Sequence, residues 1–136
     1  MTTAAILAEV AAARREIDRT ARIDWPAERW LAALGERVGG VFQAVVRGGH
    51  DADLRAALVE VAAVCGAWYE VIGYDAPLSE LVAGAARVWR RHTHLSGLVS
   101  VFARLAAPVL HGMLLVDCAA VAVAWAASLN PVEEGR

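Results

Sequence analysis

The amino-acid sequence predicts an all-α protein, a compact bundle of about six helices built from two three-helix halves. Hydrophobic residues make up 58% of the 136 residues and are largely Ala, Val and Leu, which favour packed helices over a sheet. Apolar residues recur with the period of an amphipathic helix. The stretch LVEVAAVCGAW at 58–68 returns as LVDCAAVAVAW at 115–125, with seven of eleven positions identical.

Capping residues and glycines predict three helices in the first half of the chain. Thr2 or Thr3 caps the first helix, which runs to about residue 22. Asp24, with a proline two residues later, opens the second helix, which stops at a glycine pair. Asp51 opens the third helix, which ends near Gly73. The predicted segments are therefore 2–22, 24–48 and 51–73.

Three more helices are predicted in the second half, over 78–92, 95–112 and 114–129. Pro108 lies inside the fifth segment, and the Asn-Pro pair at 130–131 ends the sixth. Every linker is short, so we expect neighbouring helices to pack antiparallel.

The repeat extends beyond the matched undecamers. The third helix returns in the sixth at an offset of 57 residues, the second in the fifth at 67, and the first in the fourth at 71. Decreasing offsets fit a duplicated three-helix unit with shorter linkers in its second copy, whereas chance similarity between Ala-rich helices also explains the two weaker matches. We expect one domain over 1–136, with halves at 4–73 and 76–130 related by a pseudo-two-fold axis, and Trp68 and Trp125 in equivalent buried positions.

Composition limits the classes of function. A net charge of −2 offers no positive field for nucleic acid. Cys65 and Cys118 lack metal-ligand spacing and are expected to be structural thiols in a reducing compartment.

Charged residues interrupt any N-terminal signal peptide, so we expect a cytoplasmic protein. Residues 105–132 are long enough to cross a bilayer, but Asp117 near their middle favours a buried pair of helices over a membrane span.

Three segments resemble a known family. LRAALVEVAAVCGAWYEVIG at 54–73 resembles the third helix of the MazG-like all-α nucleoside triphosphate pyrophosphohydrolases, LGERVGGVFQAVV at 34–46 resembles their second, and ARREID at 13–18 their first. The resemblance covers about residues 5–73, and the second half enters as a fainter copy. It implies an ExxE pair facing an ExxD pair, four carboxylates that hold Mg²⁺ on the phosphates.

The residues at those four positions depart from the family pattern. They are Arg37, Gly40, Ala57 and Glu60, so a single carboxylate remains. The equivalent positions of the second half are Arg104, Ala107, Leu114 and Asp117. We expect Arg37 to pair with Glu60 and Arg104 with Asp117, as buried or half-buried ion pairs that replace two metal sites. The alternative, a remaining metal site, would use Glu36, Glu60 and Asp117.

Other side chains also suit a ligand. Arg90, Arg91, His92 and His94 form a basic cluster that fits a solvated helix end, an anion site or, through the histidines, a metal site. Trp25, Trp30 and Trp89 either stack a nucleobase or anchor the core.

The sequence therefore favours a MazG-like protein that has lost metal-dependent hydrolysis and acts as a nucleotide- or protein-binding helical module, without a cofactor. The alternative is an active Mg²⁺-dependent pyrophosphohydrolase with an altered metal site or one completed by a partner chain. A membrane-associated helical protein is a weaker alternative. A homo-oligomer or a protein partner is compatible with either of the first two readings, and neither nucleic acid nor a membrane is expected as a partner.

Overall fold

A computed structural model describes residues 2–20, 24–48, 50–73, 78–86, 94–105 and 111–129. Every element in this part of the chain is an α-helix, which confirms the predicted all-α bundle. The six helices are α1 Thr3–Thr20, α2 Ala27–Val46, α3 Asp51–Ile72, α4 Leu78–Ala86, α5 His94–Leu105 and α6 His111–Ser128.

The helix ends in the first half follow the sequence signals closely. The backbone N–H of Ala5 donates to the Oγ1 atom of Thr2 at 3.1 Å, so Thr2 caps α1 as expected. Gly73 ends α3 with φ +92°, a left-handed conformation that glycine adopts without a steric penalty. Asp51 is not the cap of α3, because His50 holds that position, but its carboxylate in the first turn still suits the helix dipole.

Two predicted boundaries differ from the structure. Pro26, not Asp24, occupies the N-cap position of α2, and no side-chain hydrogen bond caps this helix. The fifth segment was predicted to reach residue 112, whereas α5 ends at Leu105 and α6 already begins at His111. The predicted break at Pro108 and the predicted end of the fourth helix at 92 lie outside the described residues.

Helices α3 and α6 form the centre of the bundle and pack against each other. Within the first half α1 and α2 both pack on α3, and within the second half α4 and α5 both pack on α6. Each third helix thus has equivalent partners, which supports the predicted duplication. Both helices are buried on nearly all sides, and their fully enclosed residues include Leu58, Val61 and Cys65 of α3 and Leu115, Cys118 and Ala122 of α6.

The two cysteines meet where α3 crosses α6. Both thiols are free and fully buried, as expected for structural cysteines. Burial raises the pKa of the Cys65 thiol well above its usual value, and its contact with the Cys118 thiol raises it further. At the offset of 57 residues Cys118 is the equivalent of Val61 and not of Cys65, so the two thiols come from non-equivalent positions of the two halves.

Trp68 and Trp125 stand at equivalent positions but are not equally buried. Trp68 is 2% exposed, whereas Trp125 is only partly buried and stacks on His94 with ring centroids 6.0 Å apart. The pseudo-two-fold arrangement itself stays a prediction. Among the described helices, none combines the length and apolar character needed to cross a membrane.

Candidate functional site

Arg37 links the second and third helices at the positions of the expected metal site. Its Nε atom lies 3.7 Å from the Oε2 atom of Glu60, and its Nη1 atom lies 3.1 Å from the Oε1 atom of Glu36. The predicted ion pair between Arg37 and Glu60 is therefore confirmed. A guanidinium group lies beside Glu60, the one carboxylate at the four positions that the family resemblance would assign to metal ligands.

This ion pair is in contact with solvent. The Arg37 side chain is 32% exposed and the Glu60 side chain 47% exposed, so the pair is half-buried, the shallower of the two placements expected from the sequence. Solvent screening makes such a pair worth at most about 1 kcal/mol. Glu36 is still more exposed and adds a second carboxylate to the same guanidinium.

The second half does not reproduce this arrangement. Arg104 and Asp117, both described, make no ion pair with each other, so the expected symmetric pair is wrong. Arg104 is exposed in the last turn of α5, where a cation interacts favourably with the helix dipole and with water. In the first half α2 continues well beyond Arg37, which keeps that side chain against the middle of α3.

The alternative set of metal ligands is not assembled. Within the described residues, no group of three or more Asp, Glu, His or Cys side chains is placed to hold a metal ion. Glu36 and Glu60 share Arg37, whereas Asp117 is partly buried on α6 in the other half. Gly40 and Ala57 offer no side-chain oxygen, and Ala107 lies outside the described residues.

The predicted basic cluster is described only at His94. Its imidazole is 3% exposed and stacks on the Trp125 ring at an interplanar angle of 27°. That burial counts against a place for His94 in an exposed anion site. Because Arg90, Arg91 and His92 lie outside the described residues, the anion site as a whole stays a prediction.

A cavity of about 270 Å³ adjoins Arg37, and we name it the tryptophan cavity. Its wall includes Trp25, Arg29, Trp30 and Arg37 of the second helix and the residues before it, together with Ile17 of α1 and Val64 of α3. The Arg29 guanidinium lies 4.4 Å from the centre of the Trp25 ring, as a cation–π contact. The sequence pointed to both tryptophans but not to Arg29, whose role depends on tertiary contacts.

The two tryptophans of this cavity differ in burial. Trp30 is 2% exposed and belongs to the core, and its indole N–H makes no hydrogen bond to any described residue. Trp25 is partly exposed, with its ring centroid 5.0 Å from that of Trp30. Trp25 is therefore the ring available to a ligand. Trp89 lies outside the described residues.

A larger cavity of about 370 Å³ lies between α1, α3, α4 and α6, and we name it the central cavity. Its wall contains four pairs of residues at equivalent positions of the two halves, Leu7 with Leu78, Ala11 with Val82, Ala62 with Ala119 and Gly66 with Val123. Sequence reasoning missed this cavity because it forms only where the two halves meet.

Comparisons of the chain with family models, with curated proteins and with solved structures found no match.

Proposed function

We propose that this chain is a non-catalytic MazG-like protein that binds a nucleotide in the tryptophan cavity. The observation that carries the proposal is the place of Arg37. Its guanidinium pairs with Glu60 at the former metal-ligand positions, and the same side chain lines the cavity that holds Trp25. The Arg37 guanidinium therefore lies where it can bind the phosphates of a nucleotide whose base enters the tryptophan cavity.

Two features of the tryptophan cavity suit a nucleotide. The partly exposed ring of Trp25 offers a surface on which a nucleobase stacks. Arg29 and Arg37 supply two planar guanidinium groups, whose donor geometry matches phosphate oxygens. Arg29 is exposed, so it can leave the Trp25 ring at little cost, make room for the base and turn its donors to the phosphates.

Hydrolysis of the nucleotide needs metal-binding carboxylates, which three of the four expected ligand positions lack. In the family that the sequence resembles, four carboxylates hold the Mg²⁺ ions that activate a water molecule. Here Arg37, Gly40 and Ala57 occupy three of those positions, and Glu60 is already paired with Arg37. A guanidinium group neutralises phosphate charge, but it does not lower the pKa of a bound water as a metal ion does. We therefore expect binding without turnover.

Calorimetric titration of the full chain with the eight common ribo- and deoxyribonucleoside triphosphates tests this proposal, once in EDTA and once in Mg²⁺. We expect at least one nucleotide to bind in EDTA, with no pyrophosphate released in either buffer. Arg29→Gln should weaken binding about tenfold, because a charge-assisted contact is lost. Arg47→Gln, at an exposed arginine just beyond α2, is the matched control and should bind as the unaltered chain does.

The other outcomes of these titrations either contradict the proposed site or support the alternative function. Failure of every nucleotide to bind, or an equal loss in both variants, contradicts the tryptophan cavity as the site. Mg²⁺-dependent pyrophosphate release that disappears in Glu60→Gln supports the alternative of an active enzyme with an altered metal site.

A further inference from the structure

The central cavity offers a second site, which the proposed nucleotide site does not use. Its volume of about 370 Å³ lies within the range of small-molecule sites, roughly 300 to 1,000 Å³. Most of its wall is aliphatic, with Leu78, Val82 and Val123 among the larger side chains. A ligand for this cavity therefore has an apolar body.

The polar groups of the wall come mainly from one half of the protein. Arg14, Tyr69 and Glu70 line the cavity from α1 and α3. At the repeat offsets of 71 and 57 residues their equivalents are Ala85, Ala126 and Ala127, none of which carries a polar side chain. The charged groups of the wall, Arg14 and Glu70, thus lie on one side only, and the second half contributes the neutral Ser79. That asymmetry fits a ligand with a single polar head.

Arg14 is the group that meets this head. Its side chain is 23% exposed, its Nε atom lies 3.3 Å from the Oδ1 atom of Asp18, and its Nη2 atom pairs with Glu70. The Nη1 atom lies 3.2 Å from the position of a Cβ built on Gly66, and it makes no ion pair or hydrogen bond with the described residues. A guanidinium donor is therefore available at the cavity wall.

We propose that the central cavity binds a medium-chain aliphatic monocarboxylate, with its carboxylate on Arg14 and its chain among the aliphatic side chains of α4 and α6. The carboxylate takes Nη1 and replaces Glu70 on Nη2, as a two-point contact. Glu70 is 74% exposed and returns to water when it is displaced. A cationic head would meet Arg14 at the wall, whereas its attraction to Glu70 and Asp18 would be screened by solvent.

Gly66 lets Arg14 and Leu78 lie close to α3 at the cavity wall. A Cβ at this position would lie 3.2 Å from Arg14 Nη1 and 3.3 Å from Leu78 Cδ2. Any larger residue therefore displaces the guanidinium group or Leu78 into the cavity. The equivalent residue of the second half is Val123, which has a buried side chain where Gly66 has none.

Calorimetric titration of the full chain with octanoate tests the proposal, with octan-1-ol and octylammonium as probes of the same length. We expect octanoate to bind about tenfold more tightly than either of the others, because only octanoate makes the charge-assisted contact with Arg14. Equal binding of all three probes, tighter binding of octylammonium, or no binding of octanoate overturns the proposal.

Five variants test the location of the site. Arg14→Gln should weaken octanoate binding about tenfold, and Arg15→Gln, an exposed neighbour on the same helix, should not. Gly66→Ala and Gly66→Val should weaken it progressively as they fill the cavity. Glu70→Gln should strengthen it, because the competing carboxylate is removed. If Gly66→Val does not fold, Gly66→Ala and Glu70→Gln decide, and unchanged affinity in both overturns the proposal.

Discussion

Gly35 of α2 lies against the ring of Phe102 of α5, so that a Cβ built on Gly35 would approach Phe102 Cζ to 3.1 Å. The two residues are 67 positions apart, which is the offset that relates the second helix to the fifth in the sequence. Residues at equivalent positions touch each other only near the axis that relates the two halves. The contact therefore supports the pseudo-two-fold arrangement, with a small residue from one half facing a large residue from the other.

Exchanging these two residues tests that arrangement. Gly35→Phe alone should lower the free energy of unfolding by about 1 to 3 kcal/mol, because it overpacks the contact. Combining it with Phe102→Gly should recover most of the loss, since the ring then enters from the opposite helix. Urea denaturation monitored by circular dichroism measures both changes. A double variant less stable than Gly35→Phe would contradict near-axial packing.

Gly39 provides the control for this experiment. A Cβ at Gly39 meets nothing within 4 Å, whereas one at Gly35 meets the Phe102 ring. Gly39→Ala should stabilise α2 by up to about 1 kcal/mol through helix propensity, and Gly35→Ala should gain clearly less. Equal gains at both positions would show that the Phe102 ring moves away freely.

The ion pair between Arg37 and Glu60 should contribute little to stability. Both side chains are about one third to one half exposed, so we expect Arg37→Ala to lower the free energy of unfolding by less than about 1 kcal/mol. In a double-mutant cycle with Glu60→Ala, the coupling free energy between the two residues should also be below about 1 kcal/mol. A coupling above about 3 kcal/mol, as measured by urea denaturation, would indicate a buried pair after all.

Returning carboxylates to the family's ligand positions should create Mg²⁺ binding. The triple variant Arg37→Glu, Gly40→Glu, Ala57→Glu places four carboxylates across α2 and α3 together with Glu60 and removes the competing guanidinium. Space exists at Gly40, where a Cβ meets nothing within 4 Å. Calorimetry should show Mg²⁺ affinity at least about tenfold above that of the unaltered chain. Unchanged affinity would argue against a shared helix geometry with the MazG-like family, and adding Glu60→Gln to the triple variant should abolish the gain.

Stability should fall at alkaline pH because of Cys65. Its folded-state pKa is raised above the usual value by burial and by Cys118, so the unfolded thiol loses its proton first. The contribution of Cys65 is complete below about pH 9 and is lost as the pH rises toward the folded-state pKa, with a slope of up to about 1.4 kcal/mol per pH unit. Urea denaturation at several pH values should show a shallower fall in Cys65→Ala. The same slope in that variant would assign the effect to other groups.

Several features of the fold followed from local sequence signals. The cap at Thr2 and the end of α3 at Gly73 depend on local propensity and backbone conformation, which act over neighbouring residues. The helix ends around Asp24 and residue 112 were placed wrongly, because several nearby residues offer competing start and stop signals there.

The candidate sites were predictable only in part. The pair of Arg37 and Glu60 followed from matched positions on two neighbouring helices, but the same reasoning failed for Arg104 and Asp117. Arg104 is exposed to solvent, whereas Arg37 is half-buried against α3. The position of a residue within a repeat does not specify how deeply its side chain is buried or which neighbour it meets.

The sequence by itself determined that this chain forms helices and where several of them begin and end. Hydrophobic period and helix caps are properties of short segments, and a repeated segment keeps them wherever it lies. Only the tertiary structure decided that Arg14 packs closely against Gly66, that Arg29 covers Trp25, and that His94 is buried against Trp125. Those relationships join residues of different helices or depend on rotamer and burial, and they arise from close packing between elements, which no local pattern encodes.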